Sequence, residues 1–174
     1  MQSYVALLKG INVGGNNKVP MAELRKLAEG FGWTGVKTYI ASGNLVFQAD
    51  GDEFCLAAKL RQAMKDQMGV DVAVMVQSGT AIRAALVACP YAPDEGKHVH
   101  VFFLFDDPVI DPDALTLYRA PSEDMTVTGR LAWLHAPDGV GKSKLAEKLH
   151  KVITGTDMTA RNLNTLNTLA EMLD

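Results

Sequence analysis

Cysteine is scarce in this chain of 174 residues: there are two, Cys55 and Cys89, far apart and without CxxC or Cys/His spacing. That excludes a disulfide framework and a zinc module, and both thiols read as reduced, small apolar residues. Long apolar runs are missing as well. No stretch approaches the roughly 18 apolar residues of a membrane span, and Met1-Gln2-Ser3-Tyr4 has neither a basic region ahead of an apolar core nor a small-residue cleavage site. The expectation is a cytoplasmic chain with no membrane partner. Excess positive charge is also absent, since 17 Lys and Arg stand against 20 Asp and Glu for a net charge of −3. A surface that tracks a phosphate backbone throughout is therefore not expected, and nucleic acid is a disfavoured partner. The imbalance is uneven: residues 1–80 carry eight basic against seven acidic side chains, residues 81–174 nine against thirteen.

What is present is an ordinary globular composition, 48% apolar and 21% charged, with clear periodicities. Residues 4–8 are a short apolar run, a buried strand that ends at Gly10. Pro20 opens an amphipathic helix whose Met21, Leu24, Leu27, Ala28 and Phe31 recur at three and four, and Gly30 and Gly32 end it. Two strand-like runs, 36–41 and 45–49, flank Ser42-Gly43-Asn44, which reads as a tight hairpin. A second helix through Phe54, Leu60, Met64 and Met68 closes at Gly69, and residues 70–76 alternate as a strand. The order β-α-β-β-α-β is that of the ferredoxin-like unit.

Cys89-Pro90-Tyr91-Ala92-Pro93-Asp94-Glu95-Gly96 then blocks regular structure, and the same order resumes. It runs through a strand at 98–105, a helix at 111–119 opened by Pro112, a hairpin of 125–128 with 131–135 about Gly129-Arg130, a helix at 143–153 and a strand at 158–163. Helices at 81–87 and 166–173 follow the two last strands. The fold class expected is α+β, two tandem ferredoxin-like subdomains from an internal duplication, with antiparallel sheets and helices on one face. The first subdomain covers 1–80, a helix and linker 81–97, and the second, with the last helix, 98–174.

Four segments, in this order, make a signature: Leu8-Lys9-Gly10-Ile11-Asn12-Val13-Gly14-Gly15 with Lys18-Val19-Pro20-Met21; Thr38-Tyr39-Ile40-Ala41-Ser42-Gly43-Asn44; Gly139-Val140-Gly141-Lys142-Ser143-Lys144-Leu145; and Thr159-Ala160-Arg161-Asn162-Leu163-Asn164-Thr165. Through them the chain resembles DUF1697, a family of uncharacterised bacterial proteins. The resemblance implies a tandem of ferredoxin-like subdomains and brings no established activity, hence no catalytic residues. Lys9 and Lys142 stand where many relatives are expected to carry Arg, and both keep the charge.

The opening loop is the first candidate site. Gly14 and Gly15 with Asn16 or Asn17 as a cap would make an ordinary strand-to-helix turn ahead of Pro20. Lys9, Asn12, Asn17 and Lys18 exceed what such a turn needs, and around the exposed N–H groups of the loop from Gly10 to Lys18 they suit a phosphate, carboxylate or sugar. The leading expectation is thus a binding module for an anionic ligand, with no cofactor and no metal. A second reading is a nucleotide-binding enzyme, because Ala136-Pro137-Asp138-Gly139-Val140-Gly141-Lys142-Ser143 satisfies the relaxed P-loop pattern between a strand and a helix. Against it, only 31 residues follow Ser143, no later strand ends in a metal-holding aspartate, and the preceding strand belongs to an antiparallel hairpin. A milder version keeps Gly141, Lys142 and Ser143 as an anion site in a segment, 139–161, that carries five basic against two acidic side chains. A third reading makes exposed sheet faces the surfaces of a homo-oligomer.

Arg161 and Asn162 complete the candidates. Arg161 reads first as structural, binding a buried carboxylate or backbone carbonyls, and second as a phosphate ligand beside Lys142, while Asn164 or Thr165 caps the final helix. His98 and His100 share one strand face and His135 lies in the same sheet. With the first and third strands taken as parallel, His98 and His135 sit more than about 10 Å apart, which argues against a metal site. No Ser, Cys or His spacing forms a hydrolase constellation.

Overall fold

A computed structural model describes residues 1–174, and the chain divides into two compact units: Met1–Ala84 with Thr168–Asp174, and Ala85–Asn167. The architecture is α+β, with antiparallel sheets and several helices.

In the first unit β1 (Gln2–Leu8) is followed by α1 (Met21–Gly30), β2 (Thr34–Tyr39), β3 (Asn44–Ala49), α2 (Glu53–Met68), β4 (Val74–Ser78) and α3 (Gly79–Val87). The sheet order is β2-β3-β1-β4, and every neighbouring pair is antiparallel. Alternation along β1 sends Tyr4, Ala6 and Leu8 to one face, where Leu24, Leu27 and Ala28 of α1 and Leu56, Leu60 and Met64 of α2 cover them. Burying one such leucine contributes roughly 1.5–3 kcal/mol, so this apolar layer fixes the face on which both helices lie. Trp33 completes it, stacked on Phe47 with centroids 4.0 Å apart. Val5, Leu7 and Val46 on the other face are buried too, at 0%, 0% and 4% exposure.

The second unit holds β5 (Val99–Leu104), β6 (Val109–Ile110), α4 (Pro112–Tyr118), β7 (Asp124–Thr128), β8 (Leu131–His135), α5 (Lys144–Glu147), α6 (Leu149–Val152), β9 (Ile153–Thr154) and β10 (Met158–Asn162), and α7 (Leu163–Met172) begins in it. Its main sheet has the order β10-β5-β8-β7, again antiparallel, and β6 pairs with β9. Leu104, Ala132 and Leu134 pack against Leu145, Leu149, Val152 and Ile153. Asp111 caps α4 by accepting the N–H groups of Asp113 and Ala114, and Pro112 stands in the first turn.

Four expectations need correction. The strand placed at 70–76 begins only at Val74; Val70 and Val72 are buried but outside the sheet, the Val70 N–H donating to Met64 O at the end of α2, and the Lys9 N–H makes the last bond to the strand's approach, at Ala73 O. The helix placed at 143–153 is two four-residue helices. Lys148 leaves helical geometry at φ −102° and ψ 15°, and Ile153 is drawn into extended pairing with Ile110. Neither Asn16 nor Asn17 caps α1, which starts after Pro20 with no side-chain cap. Finally β5 and β8 run antiparallel, with Val99 opposite His135, so His98 and His135 are close in register. His135 shares the face of Val99 and His100 points to the other, while His98 lies in the 3₁₀ turn 96–98 ahead of β5, where its carbonyl accepts the Ala136 N–H.

Candidate functional site

The opening loop is built from backbone outward. β1 ends where the Leu8 N–H donates to Gly43 O at 2.9 Å, and buried Ile11 and Val19 pin the loop at either end, 1% and 2% exposed. Between them the chain makes a miniature hairpin. Val13 pairs with Asn16, whose N–H donates to Val13 O at 3.0 Å, across Gly14 and Gly15 at φ 58° and 78°. Two successive left-handed residues define a type I′ turn, which glycine adopts without steric cost.

Asn12 and Asn17 are left-handed as well, at φ 54° and 51°, and their amides are occupied. Asn12 Nδ2 donates to Val19 O at 3.0 Å and to Ala41 O at 2.8 Å, and its Oδ1 accepts the Val19 N–H at 2.8 Å. Asn17 Nδ2 donates to Gly10 O at 3.2 Å, while Asn17 O accepts the Asn12 N–H at 3.1 Å. These side chains, which looked surplus in sequence, hold the loop shut. What the loop leaves outward is different: the N–H groups of Gly14, Gly15 and Lys18 have no acceptor within the chain, and Asn16 and Lys18 are exposed. No Asp or Glu occurs before Glu23. Gly10 is exposed at the loop entrance, and Lys9 is half-buried beside it.

The loop's partner was missed in the sequence. Ala41 belongs to the β2–β3 turn, where Ile40 takes φ 47°, a region that β-branched residues rarely enter, and lies half in solvent at 52% exposure. A Cβ on Gly43 in that turn would stand 2.8 Å from Leu8 Cβ, so only glycine fits there. The place of Thr38-Tyr39-Ile40-Ala41-Ser42-Gly43-Asn44 among the four signature segments was the available sign that this turn belongs with the loop.

In the second unit the P-loop-like segment closes on itself. The N–H groups of Gly139, Lys142 and Ser143 donate to Ala136 O, Gly139 O and Val140 O at 3.0, 3.2 and 3.0 Å. Three of the N–H groups that a phosphate cradle would use are thereby spent, while those of Val140 and Gly141 have no acceptor within the chain. Residues 140–142 form a single 3₁₀ turn, and Ser143 Oγ accepts the Ala146 N–H at 3.0 Å as the cap of α5. Gly141 and Lys142 are exposed. β8 carries this segment in a sheet with no parallel neighbour.

Arg161 and Asn162 lie at the same end of that sheet, since Asn162 faces His100 and His100 faces Leu134 at the end of β8. Arg161 is 7% exposed, and its guanidinium donates to Thr159 Oγ1 at 3.0 Å and to Ala160 O at 2.7 Å. Burial pushes its pKa down to about 10, so it stays cationic at neutral pH. Asn162 Oδ1 accepts the Thr165 N–H at 2.9 Å, which makes it the cap of α7 in place of Asn164 or Thr165. No group of three or more His, Cys, Asp or Glu side chains converges as a metal would require.

Two antiparallel four-stranded sheets with helices, and a rigid glycine–asparagine loop at the end of the first strand, define the class. The description "protein of unknown function (DUF1697)" matches residues 1–133, and the chain belongs to that family. Among solved structures it is similar to the conserved bacterial protein SP0830 from Streptococcus pneumoniae, with 26% identity over 99% of both chains and a TM-score of 0.77. None of the curated proteins matches the sequence. No helix is long and apolar enough to cross a membrane.

Proposed function

We propose that the chain is a cytoplasmic binding module for a phosphate- or carboxylate-bearing ligand, taken up at the 10–18 loop. One observation carries this reading. The loop is locked by the Asn12 and Asn17 amides, yet its tip leaves the N–H groups of Gly14 and Gly15 without acceptors, beside exposed Lys18. Successive left-handed residues turn neighbouring N–H groups toward a common side, an arrangement that suits anions. A loop already ordered loses little further entropy on binding. Thermal-shift measurements with inorganic phosphate, nucleotides, phosphorylated metabolites and short RNA or DNA test it. A rise in Tm with one class, diminished in Lys18→Ala at unchanged starting Tm, is the expected result; no rise with any anion overturns it. Binding to nucleic acid would fall steeply with salt.

The nucleotide reading of residues 136–143 is not favoured, because the N–H groups of Gly139, Lys142 and Ser143 are bonded within the segment and β8, which leads into it, has no parallel neighbour. Mg²⁺-dependent hydrolysis that vanishes in Lys142→Ala would restore it.

For the architecture, we infer two ferredoxin-like subdomains related by internal duplication. Register supports this. Leu8 opposite Val74 corresponds to Leu104 opposite Met158, Leu7 opposite Asn44 to Phe103 opposite Leu131, and Tyr39 opposite Asn44 to Thr128 opposite Leu131. The bonds that end the first strand correspond too: Leu8 N–H to Gly43 O and Lys9 N–H to Ala73 O in one unit, Leu104 N–H to Arg130 O and Phe105 N–H to Asp157 O in the other. Ser78 and Asn162 cap the helices after the last strands in the same way. Past those bonds the copies part, and the anion-suited loop occurs in the first alone.

A further inference from the structure

Beyond the loop, the first unit contains a cavity of about 320 Å³ lined by Phe31, Trp33, Ala49, Leu56, Cys55 and Lys59, among others. We propose that this cavity is a separate binding site for small planar aromatic carboxylates. Its volume falls at the lower end of the range that ligand pockets occupy, which suits a molecule of one or two rings. Its lining joins the Phe31, Trp33, Ala49 and Leu56 side chains with the ion pair of the Met1 ammonium and Asp50. Phe31 meets Trp33 edge to face at 5.0 Å, and Trp33 is fixed in turn by its stack on Phe47. An offset or edge-on ring is what such a wall receives.

The charges single out one polar group. Asp50 accepts the Met1 ammonium at 3.0 Å, and Asp52 next to it accepts the Cys55 N–H at 2.9 Å as the cap of α2, so both carboxylates are engaged. Lys59 has no carboxylate partner; its ammonium lies 4.8 Å from the centre of the Phe31 ring. A cation held over a ring instead of in an ion pair keeps its charge available at the cavity wall. Cys55 adds no reactive anion, since its hydrogen bond with Asp52 and that residue's charge push the thiol pKa up. The cavity therefore offers one unpaired positive charge beside apolar ring surface, the complement of an aryl carboxylate.

The probe is 2-naphthoate, with neutral 2-naphthamide as control, followed through the indole N–H resonance of Trp33, assigned with Trp33→Phe. Naphthoate is expected to shift that resonance and leave Trp133 unmoved. Lys59→Met should weaken naphthoate at least tenfold without changing the weaker binding of naphthamide, and Cys55→Phe, which fills the cavity from an exposed helix position, should abolish both. No shift of Trp33 up to the solubility limit of naphthoate overturns the site, as does binding that survives Cys55→Phe. Equal affinity for naphthoate in Lys59→Met and the parent overturns the role of the charge. Since phosphate titrates the 10–18 loop and not Trp33, failure here and failure of the loop reading give different signals.

Discussion

Asn12 does more than any other single residue of the candidate site. Its amide makes three hydrogen bonds, to Val19 O, Ala41 O and the Val19 N–H, and its backbone sits in the left-handed region. Each bond is worth about 1 kcal/mol net, and a left-handed alanine costs roughly 1–2 kcal/mol. Asn12→Ala should then lose about 4 kcal/mol in urea denaturation. Asn12→Gly, which keeps the backbone and loses the bonds, should recover about 1 kcal/mol of that. Equal losses would mean that the backbone conformation contributes nothing. From the sequence Asn12 looked like a spare ligand-binding side chain, because its partners lie seven and twenty-nine residues away and no local rule predicts them.

His100 carries a pH signature. Its Nδ1 is buried without a hydrogen-bond partner, and burial lowers its pKa from the ordinary 6.5. The unfolded chain therefore takes up the proton first as the pH falls. Stability from this residue is intact well above 6.5, declines as the pH drops through that value and levels off below the folded pKa. Urea midpoints measured from pH 8 to 5 should show a smaller decline in His100→Gln than in the parent, and identical slopes would contradict the assignment.

At the scale of elements, what was legible followed from local rules. Short apolar runs placed β1, β3, β5 and β8, the three-and-four repeat placed α1 and α2, and Pro112 behind Asp111 marked the start of α4. What failed was decided by long-range pairing. Residues 143–153 have an unbroken helical pattern, yet Ile153 pairs with Ile110 and the helix breaks at Lys148. Helix caps were misread for a related reason: Asn164 and Thr165 are good cap residues, but the strand hands over to α7 one turn sooner and Asn162 does the capping. Ser143 shows how a structural cap imitates a P-loop serine. Ser143→Ala should cost about 1 kcal/mol of stability and leave any binding of phosphate unchanged. A loss of phosphate affinity in that variant, with little loss of stability, would point back to residues 136–143.

At the scale of the molecule, two sheets share one strand order, and their loops differ where the first strand ends. In the second unit that position is Asp106-Asp107-Pro108 leading into Val109, whose pairing with Thr154 draws the segment into a small sheet. In the first unit the same position carries no acid and no strand partner, only the Asn-locked turn. The sequence displayed this contrast in composition, but it could not show which amides were spent on the fold and which N–H groups were left over. Those leftover groups are the basis for expecting an anion. The most direct measurement is a ¹⁵N-resolved titration of inorganic phosphate at low salt, reading the amide resonances of Gly14 and Gly15 in the parent and in Lys18→Ala. Saturable shifts are expected at both glycines, with at least severalfold weaker affinity in the variant and residues 136–143 unmoved. Glycine resonances that stay fixed as phosphate is raised to tens of millimolar would contradict the anion reading.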